Sequence, residues 1–135
     1  MTADDIADGV VSLLNALTTT LAFEAFNPQT PRLEREAADL AVQVYGFGED
    51  EEKVSRGAVA IDFLVNVLVT RDLDDGTTRQ TMTAFVKELK AALRFSSVGR
   101  AVWQSTETVT YWAAEHRDEQ NQFTSLFRLR YRDIE

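Results

Sequence analysis

The stretch AVAIDFLVNVLVTRD, residues 58–72, is the longest segment of the sequence with the alternating pattern of a β-strand. Successive side chains of a strand point to opposite faces, so one face of this segment is purely apolar. The other face is mixed, because Asp62 and Asn66 interrupt its apolar side chains. A central strand that is covered on both faces is predicted to show this pattern. The apolar face would carry Val59, Ile61, Phe63, Val65, Val67 and Val69.

A second strand is predicted near the C-terminus from FTSLFRLRYRD, residues 123–133. Phe127 and Tyr131 fall on one face of this strand and are predicted to belong to the core. The opposite face carries Arg128, Arg130 and Arg132, which occupy every second position. Because the whole chain has a formal net charge of -8, the partners of these arginines are the main question about its function.

Two amphipathic helices are predicted, one before and one after the central strand. Thr2 and Asp5 have the spacing of a capping box at the start of the first helix. Apolar residues recur at helical spacing in both segments. These stripes are Ile6, Val10, Leu13, Leu14 and Leu17 in the first helix, and Met82, Phe85, Val86, Leu89 and Leu93 in the second.

Three more segments are predicted to be strands: TLAFEAF (20–26), DLAVQVYG (39–46) and AVWQSTETVTYWAAEHR (101–117). The polar stretch RDEQN (117–121) suits a hairpin turn before the last strand. The element order is therefore α-β-β-β-α-β-β. This order predicts one α+β domain over residues 1–135, with a mixed or antiparallel sheet of about five strands and two helices on one face.

The acidic segment GFGEDEEKVSRG, residues 46–57, is predicted to be a solvated loop. Its carboxylates, among them Asp50 and Glu51, would then form a pole of charge opposite to the arginine face. Opposite poles can pair between copies, and a head-to-tail contact closes into a ring when the rotation allows.

The alternative is that the arginines make weak ion pairs with acids on adjacent strands of the same subunit. The sequence leaves both interpretations open. Asp62 lies within an apolar strand and is interpreted as a charge paired with an arginine rather than as a catalytic acid. The candidate interface residues are Arg128, Arg130, Arg132, Asp50, Glu51 and Asp62.

Composition narrows the classes of function. A length of 135 residues suits one domain with its own core, and 44% hydrophobic with 27% charged residues argues against disorder. The acidic balance argues against nonspecific nucleic-acid binding over the whole surface. There is no cysteine, which excludes a disulfide framework and thiolate metal ligands. The N-terminus lacks the features of a signal peptide and the apolar runs are too short to span a membrane, so a soluble, non-secreted protein is predicted.

The sequence shows no motif for a nucleotide, a catalytic nucleophile or a metal. The lone His116 is interpreted as a surface residue. DLDDG, residues 72–76, lacks the ligand spacing of a calcium loop. We therefore predict no catalytic residue, no metal site and no cofactor, and a protein that is not an enzyme.

The order of elements resembles that of the tail terminator (tail completion) proteins of long-tailed bacteriophages, the lambda minor tail protein U-like group. The resemblance covers nearly the whole chain and lies in the sequence of elements rather than in a diagnostic motif. The segments that carry it are IADGVVSLLNAL (6–17), NPQTPRLEREAADLAVQVYG (27–46), RGAVAIDFLVNVLVTRD (56–72), TMTAFVKELKAAL (81–93), TETVTYWAAEH (106–116) and NQFTSLFRLRYRD (121–133).

This resemblance implies a structural virion protein at the head-proximal end of the tail. Such proteins form a ring, with a hexamer expected, that caps the tail tube, stops its polymerisation and offers a surface to the head or neck. The implied partners are further copies of the chain, the tail tube protein and a head or neck connector protein. Genome DNA would pass through the lumen without sequence-specific contact, and no membrane is involved. The family has no catalytic residues to carry over.

Two other interpretations stay open on the sequence. One is a different ring component of a phage neck, such as a head completion protein, or of a contractile injection machine. The other is a small-ligand-binding or isomerase-like α+β domain, which needs a polar cluster in an apolar pocket. The candidates for such a cluster are Asp62, Tyr111 and Trp112.

Overall fold

The computed structural model describes residues 1–28, 40–72, 79–110 and 122–135, and it confirms the α+β class. Six strands form one mixed sheet, one strand more than the sequence predicts. The elements in chain order are α1 (Ala3–Asn15), β1 (Ala25–Phe26), β2 (Ala41–Ser55), β3 (Ala58–Asp72), α2 (Arg79–Leu93), β4 (Ser97–Val98), β5 (Ala101–Thr110) and β6 (Gln122–Ile134).

The strand order across the sheet is β1-β2-β3-β6-β5-β4. All neighbours are antiparallel except β1, which runs parallel to β2. The stretch that dominates the sequence, β3, is flanked by β2 and β6 along nearly its whole length. It is buried on both faces, with Phe63 and Val65 on one and Asn66 and Leu68 on the other, as predicted for a central strand.

Both helices pack on the same face of the sheet and form one hydrophobic core with it. The Thr2 hydroxyl accepts a hydrogen bond from the Asp5 amide, and the Asp5 carboxylate accepts one from the Thr2 amide, so the predicted capping box is present. The predicted stripes supply most of the helical contribution, although α1 ends at Asn15 and Leu17 lies beyond it. The fully buried side chains of the core include Ile6, Val10, Leu14, Met82, Phe85, Val86, Leu89, Val65, Val67, Val69, Phe127, Leu129 and Tyr131.

The prediction of a solvated loop over residues 46–57 is wrong. β2 continues through this segment to Ser55, and only Arg56 and Gly57 form the turn to β3. The acidic residues pair with β3 in register, since Asp50 lies opposite Asp62 and Glu51 opposite Ile61. A charged segment is stable as a strand at this place because its backbone groups bond to β3 while its side chains stay in solvent.

Two other differences are smaller. The strand predicted from residues 20–26 is limited to Ala25 and Phe26, and the two-residue β4 was not predicted. The predicted hairpin turn at residues 117–121 and the segment around Pro31 lie outside the described residues.

The first turn of α1 lies directly against β2 at a β-bulge. The register shifts between Gly46 and Gly48, and the Gly46 amide donates a hydrogen bond to the Asp4 carboxylate at 3.0 Å. A Cβ atom at Gly46 would lie 2.8 Å from backbone atoms of Ala3 and Asp4. Position 46 must therefore be glycine for α1 to pack at this distance.

We expect Gly46→Ala to lower the free energy of unfolding by about 1–3 kcal/mol, because the added methyl group displaces the helix backbone. Urea denaturation gives this value. Gly48→Ala is the matched control, since a Cβ atom there has no neighbour within 4 Å and its effect should stay within about 0.5 kcal/mol. Equal effects at the two positions would contradict this account.

Candidate functional site

All the predicted site residues except Glu51 meet on the face of the sheet opposite the helices, which we call the second face. Asp62 of β3 lies at the centre, and its side chain is only 9% exposed. Arg132 of β6 donates to both carboxylate oxygens. Its Nε lies 2.7 Å from Oδ1, and its Nη2 lies 3.2 Å from Oδ2. Arg130 donates to Oδ2 at 2.7 Å. Three charge-assisted hydrogen bonds therefore hold the carboxylate.

More exposed carboxylates surround this centre. Two of them belong to β2: Asp50 lies 3.6 Å from Arg130, and Glu52 lies 3.8 Å from Arg132. Glu107 of β5 lies 3.7 Å from Arg128. We call these residues the arginine–carboxylate cluster: Arg128, Arg130, Arg132, Asp50, Glu52, Asp62 and Glu107.

Three guanidinium groups face four carboxylates in this cluster, which leaves one net negative charge on a face predicted to be positive. The arginines pair with acids on adjacent strands of the same subunit, as the second interpretation of the sequence had it. The prediction of two opposite poles is wrong in this respect, because Asp50 lies on the arginine face. The cause is the register of β2, which brings Asp50 beside Asp62.

Arg128 occupies a different environment from the other two arginines. Its Nε donates to the Asn66 side-chain oxygen at 2.8 Å, and its guanidinium carbon lies 3.8 Å from the centre of the Phe47 ring. The Asn66 amide nitrogen is in turn 3.5 Å from the Tyr45 hydroxyl. A planar guanidinium both stacks and forms hydrogen bonds here, which a lysine ammonium would not reproduce.

The arginines determine the protonation of Asp62. The hydrogen bond from Arg132 is the main cause of a lowered pKa of the Asp62 carboxyl, with a further contribution from Arg130, against the opposing effect of burial. The pKa of Arg132 is raised by the same contact. A carboxylate held ionised by two cations is a poor proton donor or acceptor at neutral pH, and the contacts of Asp62 link β3 to β6.

The structure separates the predicted site residues into two groups. Asp62, Asp50 and the three arginines come together, whereas Glu51 pairs with Ile61 and therefore lies on the helix side of the sheet. Sequence analysis missed Glu52 and Glu107, and it missed the partners Asn66 and Phe47 of Arg128. The alternation of strand residues would have found Glu52, since it shares the parity of Asp50, but only if residues 46–57 were known to be a strand.

Other candidates contribute little among the described residues. No group of three or more His, Asp or Glu side chains there is arranged to hold a metal ion, and no described helix has the length and apolar character to cross a membrane. A depression of about 450 Å³ lies beside the cluster, between Arg100 and Arg132. His116, Tyr111, Trp112 and residues 73–76 of DLDDG lie outside the described residues.

Fold and site together define a class: an α+β domain whose single mixed sheet has an apolar face under two helices and an ion-paired second face. No protein-family model matches the chain, and no curated protein sequence shows significant similarity to it.

We expect Asp62→Asn to lower the free energy of unfolding by about 2–3 kcal/mol at neutral pH, because two arginines lose their shared counter-charge. This loss is smaller than for a fully buried ion pair, since both arginines are partly exposed. Asp50→Asn is the matched control on the opposite strand. Its side chain is 64% exposed, so its effect should be below about 0.5 kcal/mol.

The pH dependence follows from the lowered pKa. Asp62 stabilises the folded state above its unfolded pKa, and this contribution is lost as pH falls through the still lower folded pKa. The difference in free energy of unfolding between wild type and Asp62→Asn should therefore be constant near pH 7. It should shrink only below 3.8, the ordinary pKa of an aspartate. Urea midpoints measured at a series of pH values test this, and a difference that disappears already near neutral pH would contradict it.

Proposed function

We propose that this protein is a phage tail terminator: a structural subunit of a ring that caps the tail tube, stops its polymerisation and presents a surface to the head or neck. The observation that carries the proposal is the order of elements along the chain. A capped helix, a short strand, the long β2–β3 hairpin, a second helix and a C-terminal strand pair follow one another as in the resemblance. Both helices pack on one face of the sheet, as the sequence analysis predicts.

The role of Asp62 supports a structural function over a catalytic one. Asp62 is the only ionisable residue in β3 before Arg71, and the ligand-binding alternative depends on it. Its carboxylate is occupied by three hydrogen bonds from Arg130 and Arg132. A group held in this way joins two strands and is not available to a substrate.

The charge of the chain agrees with passage of DNA through a ring. The three arginines of the second face are neutralised within the subunit, and the chain as a whole has a formal net charge of -8. A negative lumen repels the phosphate backbone and does not retain it.

The cluster also gives the subunit the rigidity that a ring component needs. Ion pairs and hydrogen bonds connect β2, β3, β6 and β5 across the second face. Charge-assisted bonds of this kind fix geometry as much as they stabilise. Charge reversal at Arg128 or Arg130 would disturb the fold before it disturbed assembly, and so it does not test the ring.

A direct test is the growth of tail tubes. Tube protein encoded by the same viral genome is polymerised in vitro with and without this chain, and tube lengths are measured by negative-stain electron microscopy. We expect shorter tubes and a ring with sixfold symmetry at one end. An unrelated acidic protein at the same concentration is the control. Unchanged tube lengths and bare tube ends at every concentration would contradict the proposal.

The assembly state of the free protein is a second test. Its mass in solution is measured over a range of protein and salt concentrations, with images of the same samples. A ring with a central hole that binds a head connector but leaves tube growth unchanged would indicate a neck component instead.

A further inference from the structure

The sheet has two outer edges that no described strand covers over most of their length. At one edge, β1 pairs only with Val42 and Gln43, and every residue from Glu49 to Ser55 is exposed. At the other, β4 pairs only with Ala101 and Val102 and is contacted by α1 where Gly9 meets Val98. Residues 104–109 of β5 are exposed except for Thr106. Open strand edges carry backbone donors and acceptors that pair readily with a further strand.

The edge at β2 is flanked by acids. β2 itself contributes Glu49, Asp50, Glu51 and Glu52. The first two turns of α1 lie over it, since Asp4 accepts from the Gly46 amide and Glu49 accepts from the Ala3 amide at 3.0 Å. We call β2 from Glu49 to Ser55, with Asp4, Asp5 and Asp8 of α1, the acidic edge. It includes one cation, Lys53, and its acids Asp50 and Glu52 are paired with Arg130 and Arg132 on the second face.

The edge at β5 is flanked by cations of α2. The Lys90 ammonium bonds to the Thr108 hydroxyl at 2.5 Å, which fixes this side of the helix beside β5. Burial lowers the pKa of Lys90, and the nearby charges of Lys87 and Arg94 lower it further. We call β5 from Gln104 to Val109, with Lys87, Lys90 and Arg94, the basic edge. The only acid of this β5 segment, Glu107, is paired with Arg128 on the second face.

Exposed apolar side chains concentrate at the same two places. Eight large hydrophobic side chains are exposed among the described residues, and all but Met1 and Ile134 lie on strands or turns next to an edge. Phe95, 84% exposed and with a positive φ of 61°, packs edge-on against Trp103 where the basic edge begins. The others are Phe26, Phe47 and Val54 beside the acidic edge, and Val102 and Val109 beside the basic edge. Aromatic and apolar side chains of this kind anchor protein interfaces.

Charge determines which edges can meet. Two acidic edges repel each other, as do two basic edges, so a twofold contact between identical edges is unfavourable. The alternating strand directions make β2 and β5 antiparallel within the sheet. Continuing the sheet from β5 of one copy to β2 of the next therefore gives an antiparallel pair. The exposed segments meet when the second copy is displaced along the strands, because Thr108 lies in the row of Val44 rather than that of Glu51. The helices then remain on one side, and the acids of α1 lie beside the cations of α2.

We propose that the acidic edge of one copy of this chain pairs with the basic edge of a second copy, so that the sheet continues from subunit to subunit. Such a head-to-tail contact is heterologous, repeats from copy to copy, and closes into a ring when the rotation between copies allows. The inference rests on the proposed function only for ring closure. It assigns Glu51 to the subunit interface on the helix side, outside the arginine–carboxylate cluster.

The absence of cysteine from the sequence makes cross-linking a direct test. Glu51 and Thr108 both point to the helix side, since they pair with Ile61 and Phe127. One chain carrying Glu51→Cys and Thr108→Cys is oxidised at high protein concentration and analysed on a non-reducing gel. Glu49→Cys and Lys53→Cys replace Glu51→Cys in parallel samples to cover neighbouring registers.

At least one of these double variants should give a ladder of covalent oligomers, whereas each single variant alone should not. Ala16→Cys with Ala92→Cys is the control, since both positions are exposed and lie on or next to the helices rather than on the strand edges. Circular dichroism establishes that each variant folds. No ladder above the control in any register would overturn the proposal, as would efficient dimers from Glu51→Cys alone, which would indicate contact between two acidic edges.

Charge exchange gives an independent readout. Glu51→Lys should weaken self-association about tenfold, and adding Lys87→Glu should restore it, because the pair of charges is exchanged across the junction. Glu135→Lys changes the net charge equally, away from both edges, and should have no effect. An effect of Glu51→Lys that Lys87→Glu does not reverse would count against the contact.

The two proposals fail separately. Rings in electron micrographs without a cross-linked ladder would contradict this interface but not the formation of a ring. A cross-linked ladder, together with tube growth that the protein leaves unchanged, would support the interface and contradict the tail terminator function.

Discussion

The contact on which the rest of the structure depends is that of Asp62 with Arg130 and Arg132. β3 is buried on both faces, and the Asp62 carboxylate on its second face is tolerated only because β6 supplies two counter-charges in register. The same arginines draw Asp50 and Glu52 of β2 to this face. One buried carboxylate thus holds three strands in a fixed register, while the helix side of the sheet is stabilised by apolar packing.

This neutralisation changes where function should be sought. Three arginines on one face of a strand suggest a binding surface. Within the folded subunit, however, four carboxylates compensate the charges of Arg128, Arg130 and Arg132. The charges that remain unequally distributed lie at the sheet edges, with acids around β2 and α1 and cations along α2 beside β5. A rigid sheet with unlike edges is suited to assembly with further copies of itself.

The sequence predicted much of the fold because its apolar residues follow clear periods. The stripes of α1 and α2, the capping box of Thr2 and the two-sided burial of β3 each depend on local spacing, and each is present. The extension of β2 through Glu49–Ser55 was missed because a charged segment has the composition of a loop. What makes it a strand is pairing with the backbone donors and acceptors of β3 next to it, and no local pattern in β2 reports on that neighbour.

By itself, the sequence determined the α+β class, the core side of each helix and the shared face of Arg128, Arg130 and Arg132, because these follow from periods of 3.6 and 2 residues. Only the tertiary structure decided which charges meet. Asp62 and Arg132 are 70 residues apart, and Asp50 reaches the arginine face only because β2 pairs with β3 in a register that places it opposite Asp62. Pairing of distant strands sets these relations, and register is a property of the assembled sheet rather than of any one segment.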